Sequence, residues 1–236
     1  MVSTGAAAPG FGLVVCDMAG TTVADDGLVE RAFDTAAEAS GIAAGSPRHR
    51  EMREHVLATM GQSKIEVFRD LFGEEERAQT ANRAFEKAYA EQVGEGLCAP
   101  LPGAEETLRA LRAEGRRVVL TTGFAPATRD ALLAALGWHG LADLVLSPAD
   151  AGRGRPFPDL VLAAFLRTAA VAGVDQVAVA GDTRSDVLSA RRAGAGLAVG
   201  VLTGAHDRAA LEEAGADRVL PSVAELPALL RAEESR

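Results

Sequence analysis

One pattern recurs along this chain: a short apolar run that stops abruptly at small, polar, glycine-rich residues. Residues 13–16 run into Asp17-Met18-Ala19-Gly20-Thr21-Thr22, and residues 118–120 into Thr121-Thr122-Gly123. Residues 144–146 meet Ser147-Pro148, residues 177–180 meet Gly181-Asp182-Thr183, and residues 197–202 meet Thr203-Gly204. Residues 218–220 are a candidate sixth run. Runs this short, bounded by turn residues, read as buried strands. Between them the apolar spacing turns helical: Leu108 and Leu111 share a face, as do Leu132, Leu133 and Leu136, and residues 160–170 and 186–193 follow suit. Strands alternating with helices predict an α/β fold, a Rossmann-like parallel sheet with helices on both faces. Such sheets bind ligands beyond the carboxyl ends of their strands, where the strand order reverses.

Residues 25–97 break the alternation. Their pattern is wholly helical, over 28–40, 48–59, 64–72 and 75–93, and residues 94–102 read as a return linker rich in Gly and Pro. The expected division is an α/β core of residues 1–24 and 98–236 and a helical cap of residues 25–97. A cap over the strand ends would exclude water and carry residues that select the substrate. Residues 1–10 read as a loose tail.

Composition narrows the class further. Aromatics are only 4% against 48% hydrophobic residues, so the core must rest on Leu, Val and Ala. A formal charge of -9 suits neither nucleic acid nor an anionic membrane as partner. Two cysteines, Cys16 and Cys98, make no disulfide framework. No signal peptide is read at the start, and no apolar stretch reaches the ~20 residues of a membrane span. The expectation is a cytoplasmic protein acting on a small molecule.

The strand ends hold the candidate chemistry. Asp17 ends a buried strand, where a carboxylate is costly unless something binds it. Asp182 and Asp186 stand four residues apart after another strand, a pair that suits a hard cation such as Mg²⁺. Capping of the helix near Arg184 would explain them equally well. Thr122 offers a hydroxyl beside Gly123, whose backbone N–H is free to meet a phosphoryl oxygen. Arg155, framed by Pro156 and Pro158, is a cation held in place; Arg153 has no such frame and reads as surface.

Taken in order, Asp17-x-x-Gly20-Thr21, Thr122, Arg155 and Gly181-Asp182-x-x-x-Asp186 resemble the four motifs of the haloacid dehalogenase superfamily, over nearly the whole chain. The resemblance implies that Asp17 is a nucleophile attacking phosphorus and a Mg²⁺ ligand. Thr122 would bind the phosphoryl group, Arg155 would supply the motif's cation, and Asp182 and Asp186 would hold or support the metal, with the Ala19 carbonyl. Phosphatases of that superfamily carry a second Asp where this chain has Ala19, and alanine transfers no proton. Asp17-Met18-Ala19-Gly20-Thr21-Thr22-Val23 is similar instead to the phosphonoacetaldehyde hydrolase (phosphonatase) branch, which cleaves a C–P bond and loses no alcohol. That branch forms a Schiff base on a cap lysine in a Met-Gly-x-x-Lys-Ile segment, matched here by Met60-Gly61-Gln62-Ser63-Lys64-Ile65. Lys64 and Lys87 are the only lysines in an arginine-rich chain. Arginine could not replace an imine-forming lysine, whereas Lys87, between Glu86 and Glu91, reads as solvated. Met60, Gly123 and Phe124 would border the substrate.

The chain departs from that branch at three places: Val67 stands for a histidine, Phe124 for a tyrosine and Gly27 for a cysteine. His49, His55 and His206 are the candidate substitutes for the histidine. The leading expectation is a phosphonatase-like hydrolase of phosphonoacetaldehyde or a related carbonyl phosphonate. A phosphomonoesterase with Lys64 only binding substrate is the second, and a non-catalytic binding protein the third. The resemblance also allows a homodimer.

Overall fold

The computed structural model describes residues 10–235; the predicted tail, apart from Gly10, lies outside them. In chain order the elements are β1 (Leu13–Asp17), α1 (Leu28–Ala39), α2 (Pro47–Ala58), α3 (Lys64–Phe72), α4 (Glu75–Gly94), α5 (Ala104–Ala113), β2 (Arg117–Thr121) and α6 (Pro126–Leu136). There follow β3 (Leu144–Leu146), α7 (Pro148–Ala151), α8 (Asp159–Thr168), β4 (Val177–Gly181), α9 (Arg184–Ala193), β5 (Leu197–Val201), α10 (Arg208–Glu213), β6 (Arg218–Leu220) and α11 (Leu226–Glu234). All six predicted strands form, joined in one parallel sheet of order β3-β2-β1-β4-β5-β6.

Side chains alternate across a strand, so the sheet carries two apolar layers. Val14, Cys16, Val118, Leu120, Ala178 and Ala180 face one way. Leu13, Val15, Val119, Val177, Val179 and Ala198 face the other, against α8, α9 and α10. The register sets Asp17 level with Thr121 and Cys16 level with Ala180. The chain leaves β1 toward β2 and β3, then crosses back to β4. The order therefore reverses beside β1, and a crevice opens beyond Asp17.

The four inserted helices have an aromatic centre of their own. Phe33 lies 5.0 Å from Phe68 and 4.7 Å from Phe85 between ring centroids. The cluster continues into the loop after β2, where Phe124 packs 4.4 Å from Tyr89. The few aromatics are thus concentrated where the insert meets the sheet, and each buried ring contributes large apolar area there. No helix among the described residues is long and apolar enough to cross a membrane.

Candidate active site

Asp17 is buried at the end of β1, and its Oδ1 accepts a hydrogen bond from Arg155 Nη1 at 2.5 Å. The same nitrogen donates to Asp186 Oδ1, so one buried guanidinium bridges two carboxylates. Asp182, just past β4, accepts from Thr21 Oγ1 at 3.0 Å and from the Ala205 N–H at 2.8 Å. Carboxylate oxygens of Asp17, Asp182 and Asp186 lie within 4.8 Å of one another.

Local sequence builds this geometry. Gly20 has φ +82°, and a Cβ there would fall 2.5 Å from Asp182 Oδ2. Only glycine lets the β1 loop fold so tightly against Asp182. Gly20→Ala is expected to destabilise the protein by ~2 kcal/mol or more, read as a lowered urea midpoint. Thr183, rather than Asp182, caps α9. Its hydroxyl accepts from Asp186 N at 3.2 Å, and Asp186 Oδ2 accepts from Thr183 N at 3.1 Å. This capping box leaves Asp182 to other partners and aims the second oxygen of Asp186 at Arg155.

Two of the three buried carboxylates, Asp17 and Asp186, share the Arg155 cation. Burial pushes the Asp17 carboxyl well above the ordinary carboxylate range, with Arg155 opposing only in part. Burial and then Asp186 push Asp182 the same way. An anionic, oxygen-only donor set out of water fits a hard divalent cation such as Mg²⁺. Arg155 Nε is also buried with no partner among the described residues, a donor left for an anionic oxygen.

A cavity of about 310 Å³ extends from these carboxylates to the inserted helices. Asp17, Ala19, Met60, Lys64, Thr122, Gly123, Phe124, Arg155 and Asp182 border it, and Asp186 reaches it through Arg155. Lys64, the first residue of α3, is only 5% exposed. Its Nζ lies 5.6 Å from the Phe124 ring and 5.7 Å from Phe33, a cation held between aromatic faces. Burial, then Arg155, draws its pKa down to about 8 against the pull of Asp25 and Asp17. The loop before Lys64 is pressed onto the core. A Cβ on Gly61 would sit 2.4 Å from Thr183 Oγ1, and one on Gly123 2.4 Å from Gln62 O. Ser185 Oγ donates to Met60 O at 3.1 Å, and Lys64 N donates to Gly123 O at 3.3 Å.

None of the three candidate histidines borders the cavity. His49 is buried in the insert with Nε2 3.1 Å from Asp34. His55 lies on α2, and His206 Nδ1 accepts from Arg184 N at 3.1 Å. Val67 is buried, and Gly27 borders the cavity with φ +76°. Lys87 is exposed and pairs with Glu91, and Arg153 with Asp159, both at the surface. Sequence reading missed Thr21, Thr183, the Ala205 N–H and Asp25, a part-buried carboxylate on the cavity wall. Thr21 and Thr183 stand inside recognised motifs and could have been found there; a backbone N–H carries no side-chain signal.

A switch-point sheet whose strand ends gather a bridged aspartate pair and a third carboxylate defines a class of α/β enzyme with an acidic, cation-accepting centre. Residues 11–194 match the family described as haloacid dehalogenase-like hydrolase, and the chain belongs to that family of hydrolases. It is 30% identical over 220 residues to a probable phosphatase IndB of Dickeya dadantii, covering 91% of each chain. It is 29% identical over 217 residues to a phosphonoacetaldehyde hydrolase of Bacteroides fragilis, covering 81% of each. Among solved structures, a hydrolase from Pseudomonas syringae aligns with TM-score 0.80 and 27% identity, over 94% of this chain and 98% of that one. A phosphonoacetaldehyde hydrolase-like protein from Oleispira antarctica aligns with TM-score 0.83 over 97% and 94%; at 24% identity it speaks for the fold alone.

Proposed function

We propose that the chain is a Mg²⁺-dependent, phosphonatase-like hydrolase that releases phosphate from phosphonoacetaldehyde or a related carbonyl phosphonate. The observation that carries this reading is the presence of Ala19 and a buried Lys64 in one cavity with Asp17. Ala19 has no proton to give a leaving alcohol. Lys64, kept from water with its pKa near 8, is a nucleophile at mildly alkaline pH. The relatives named phosphonoacetaldehyde hydrolase support the same reading.

Asp17, Asp182 and the Ala19 carbonyl would hold Mg²⁺, with Asp186 in support. When bound, the ion offsets repulsion between an anionic nucleophile and an anionic substrate. The neutral Lys64 amine adds to the substrate carbonyl, a proton is taken up from solvent, water leaves, and a protonated imine forms. A carboxylate oxygen of Asp17 then bonds to phosphorus as the C–P bond breaks. The electron pair of that bond passes to the iminium, giving an enamine. Arg155 and Thr122 hold the phosphoryl oxygens while this charge moves. Protonation of the enamine carbon and hydrolysis of the imine free the aldehyde and Lys64. Water cleaves the aspartyl phosphate to phosphate and Asp17. No alcohol departs, so position 19 needs no acid, and residues 25–97 act as a cap that keeps bulk water out.

The test is borohydride reduction of the protein with Mg²⁺ and phosphonoacetaldehyde, beside a phosphate assay. Phosphate release and a reduced adduct on the Lys64 peptide are expected; neither phosphate nor adduct would reject the reading. A phosphomonoesterase is favoured by one observation, the relative named a probable phosphatase. Ala19→Asp separates the two. If only the acid is missing, ester hydrolysis should rise by ~10²–10⁴-fold, whereas C–P cleavage gains nothing.

A further inference from the structure

Helix α6 begins with an unsatisfied end. Its N-cap is Ala125, which has no side chain to accept from the first-turn N–H groups, and Pro126 follows. A carboxylate from the insert stands at this end instead, taking the Ala125 N–H and a first-turn hydroxyl. Glu86, midway along α4, accepts from the Ala125 N–H at 3.2 Å through Oε1. Its Oε2 accepts from the hydroxyl of Thr128, which is buried in the first turn of α6. A carboxylate is also the favoured charge at a helix N-terminus. Phe85 and Tyr89 of the same helix pack at 6.3 and 4.4 Å on Phe124, in the loop that carries Thr122. A second cleft, about 120 Å³, lies along this seam and is bordered by Lys64, Asn82, Glu86 and Phe124.

We propose that Glu86 is the clasp that holds the cap closed over the site and so positions Lys64. Its acceptors belong to the cap and its donors to the core, so both bonds exist only when the two are together. Opening the cap would leave Ala125 N–H and Thr128 uncapped and would withdraw Lys64 N from Gly123 O, on the same loop. Glu86 touches neither the carboxylate centre nor the phosphoryl position. It is a positioning residue. Its bearing on Lys64 rests on the proposed chemistry; the clasp itself needs only the cap.

Amide hydrogen exchange on the full chain tests this without any substrate. In Glu86→Ala, amides of 61–64 and of Ala125 and residues 127–129 are expected to exchange ~10–100-fold faster, the scale of one charge-assisted hydrogen bond. Amides of β1 and around Phe33 and Phe68 should keep their rates. Glu86→Gln should recover most of the protection, because its amide oxygen can accept from Ala125 N and its NH₂ can donate to Thr128 Oγ1. Thr128→Val, cut from the core side, should loosen the same amides. On whichever substrate turns over, Glu86→Ala should raise KM ~10-fold and change kcat less than ~3-fold, as a smaller closed population dictates. Wild-type exchange at the seam in Glu86→Ala would overturn the clasp. So would faster exchange spread evenly over α1–α4, or a Gln variant no better protected than Ala. Failure of phosphonate cleavage alone would sink the proposed function and leave the exchange result standing.

Discussion

Asp17→Asn is expected to lower kcat by ~10⁴-fold or more while the fold persists. Asparagine fills the same space at the end of β1 but cannot form an acyl phosphate. Arg155 retains Asp186, so its position should hold. The substitution should also stabilise the metal-free protein. Burial raises the Asp17 carboxyl above its ordinary range, which means that ionisation there costs folding free energy. The sign follows from linkage. A carboxyl raised on folding favours the native state below the unfolded carboxylate pKa, and that advantage is lost as pH climbs through the raised value. Asparagine has nothing to lose over that window. In chelator, Asp17→Asn should therefore melt above wild type at pH 7, and the gap should close near pH 4. Melting curves at the two pH values, with kcat at pH 7, check both halves. An active Asp17→Asn would remove Asp17 from the reaction.

Lys64→Arg is expected to reduce C–P cleavage by ~10³-fold or more and to abolish the borohydride adduct. Arginine keeps the charge and nearly the length, but its guanidinium stays protonated and forms no imine. A lysine that only binds an anion would tolerate the change; one that reacts through its free amine would not. The wild-type rate should also rise with pH and level off above about 8, since the amine reacts and the ammonium does not. Below that pH it should fall about tenfold per unit while Lys64 is the only titrating group. Stability should move in step. Because the folded value lies below the ordinary 10.5, the unfolded chain holds the proton more tightly. Wild type should gain stability relative to Lys64→Met as pH rises from about 8 toward 10.5. A flat pH–rate profile with a working Lys64→Arg would leave the phosphomonoesterase reading in possession.

Much of this was legible before any coordinates. Residues 13–16, 118–120 and 177–180 announce strands because burial on both faces demands short unbroken apolar runs, and that demand is local. The helices of residues 28–93 show for the same reason, through their 3.6-residue spacing. Helices α7, α10 and α11 did not show; the four and six residues of α7 and α10 are too few to carry a period. The motif residues could be placed at strand ends because turn chemistry is also written in neighbouring residues.

What each motif residue touches was not legible. The spacing alone leaves Asp186 to cap, to bind a metal or to stand free; its capping box with Thr183 is a local contact, whereas the bridge through Arg155 emerges only when residues far apart in sequence meet. Lys64 on a polar-looking helix start has the pattern of a solvated lysine, and its burial depends on Phe33 and Phe124 closing around it. Glu86 sits beside a truly exposed Lys87 and has the same surface composition, yet it spans the seam to Ala125 and Thr128. His206, a candidate by its place after β5, turns to Arg184 N instead. The sequence by itself determined the strands, the longer helices between them, their order and the residue types at the strand ends, since backbone hydrogen bonding and turn geometry depend on near neighbours. Only the tertiary structure decided which charges are buried together and which are left to water, because desolvation and charge pairing depend on contacts across the chain that local pattern does not encode.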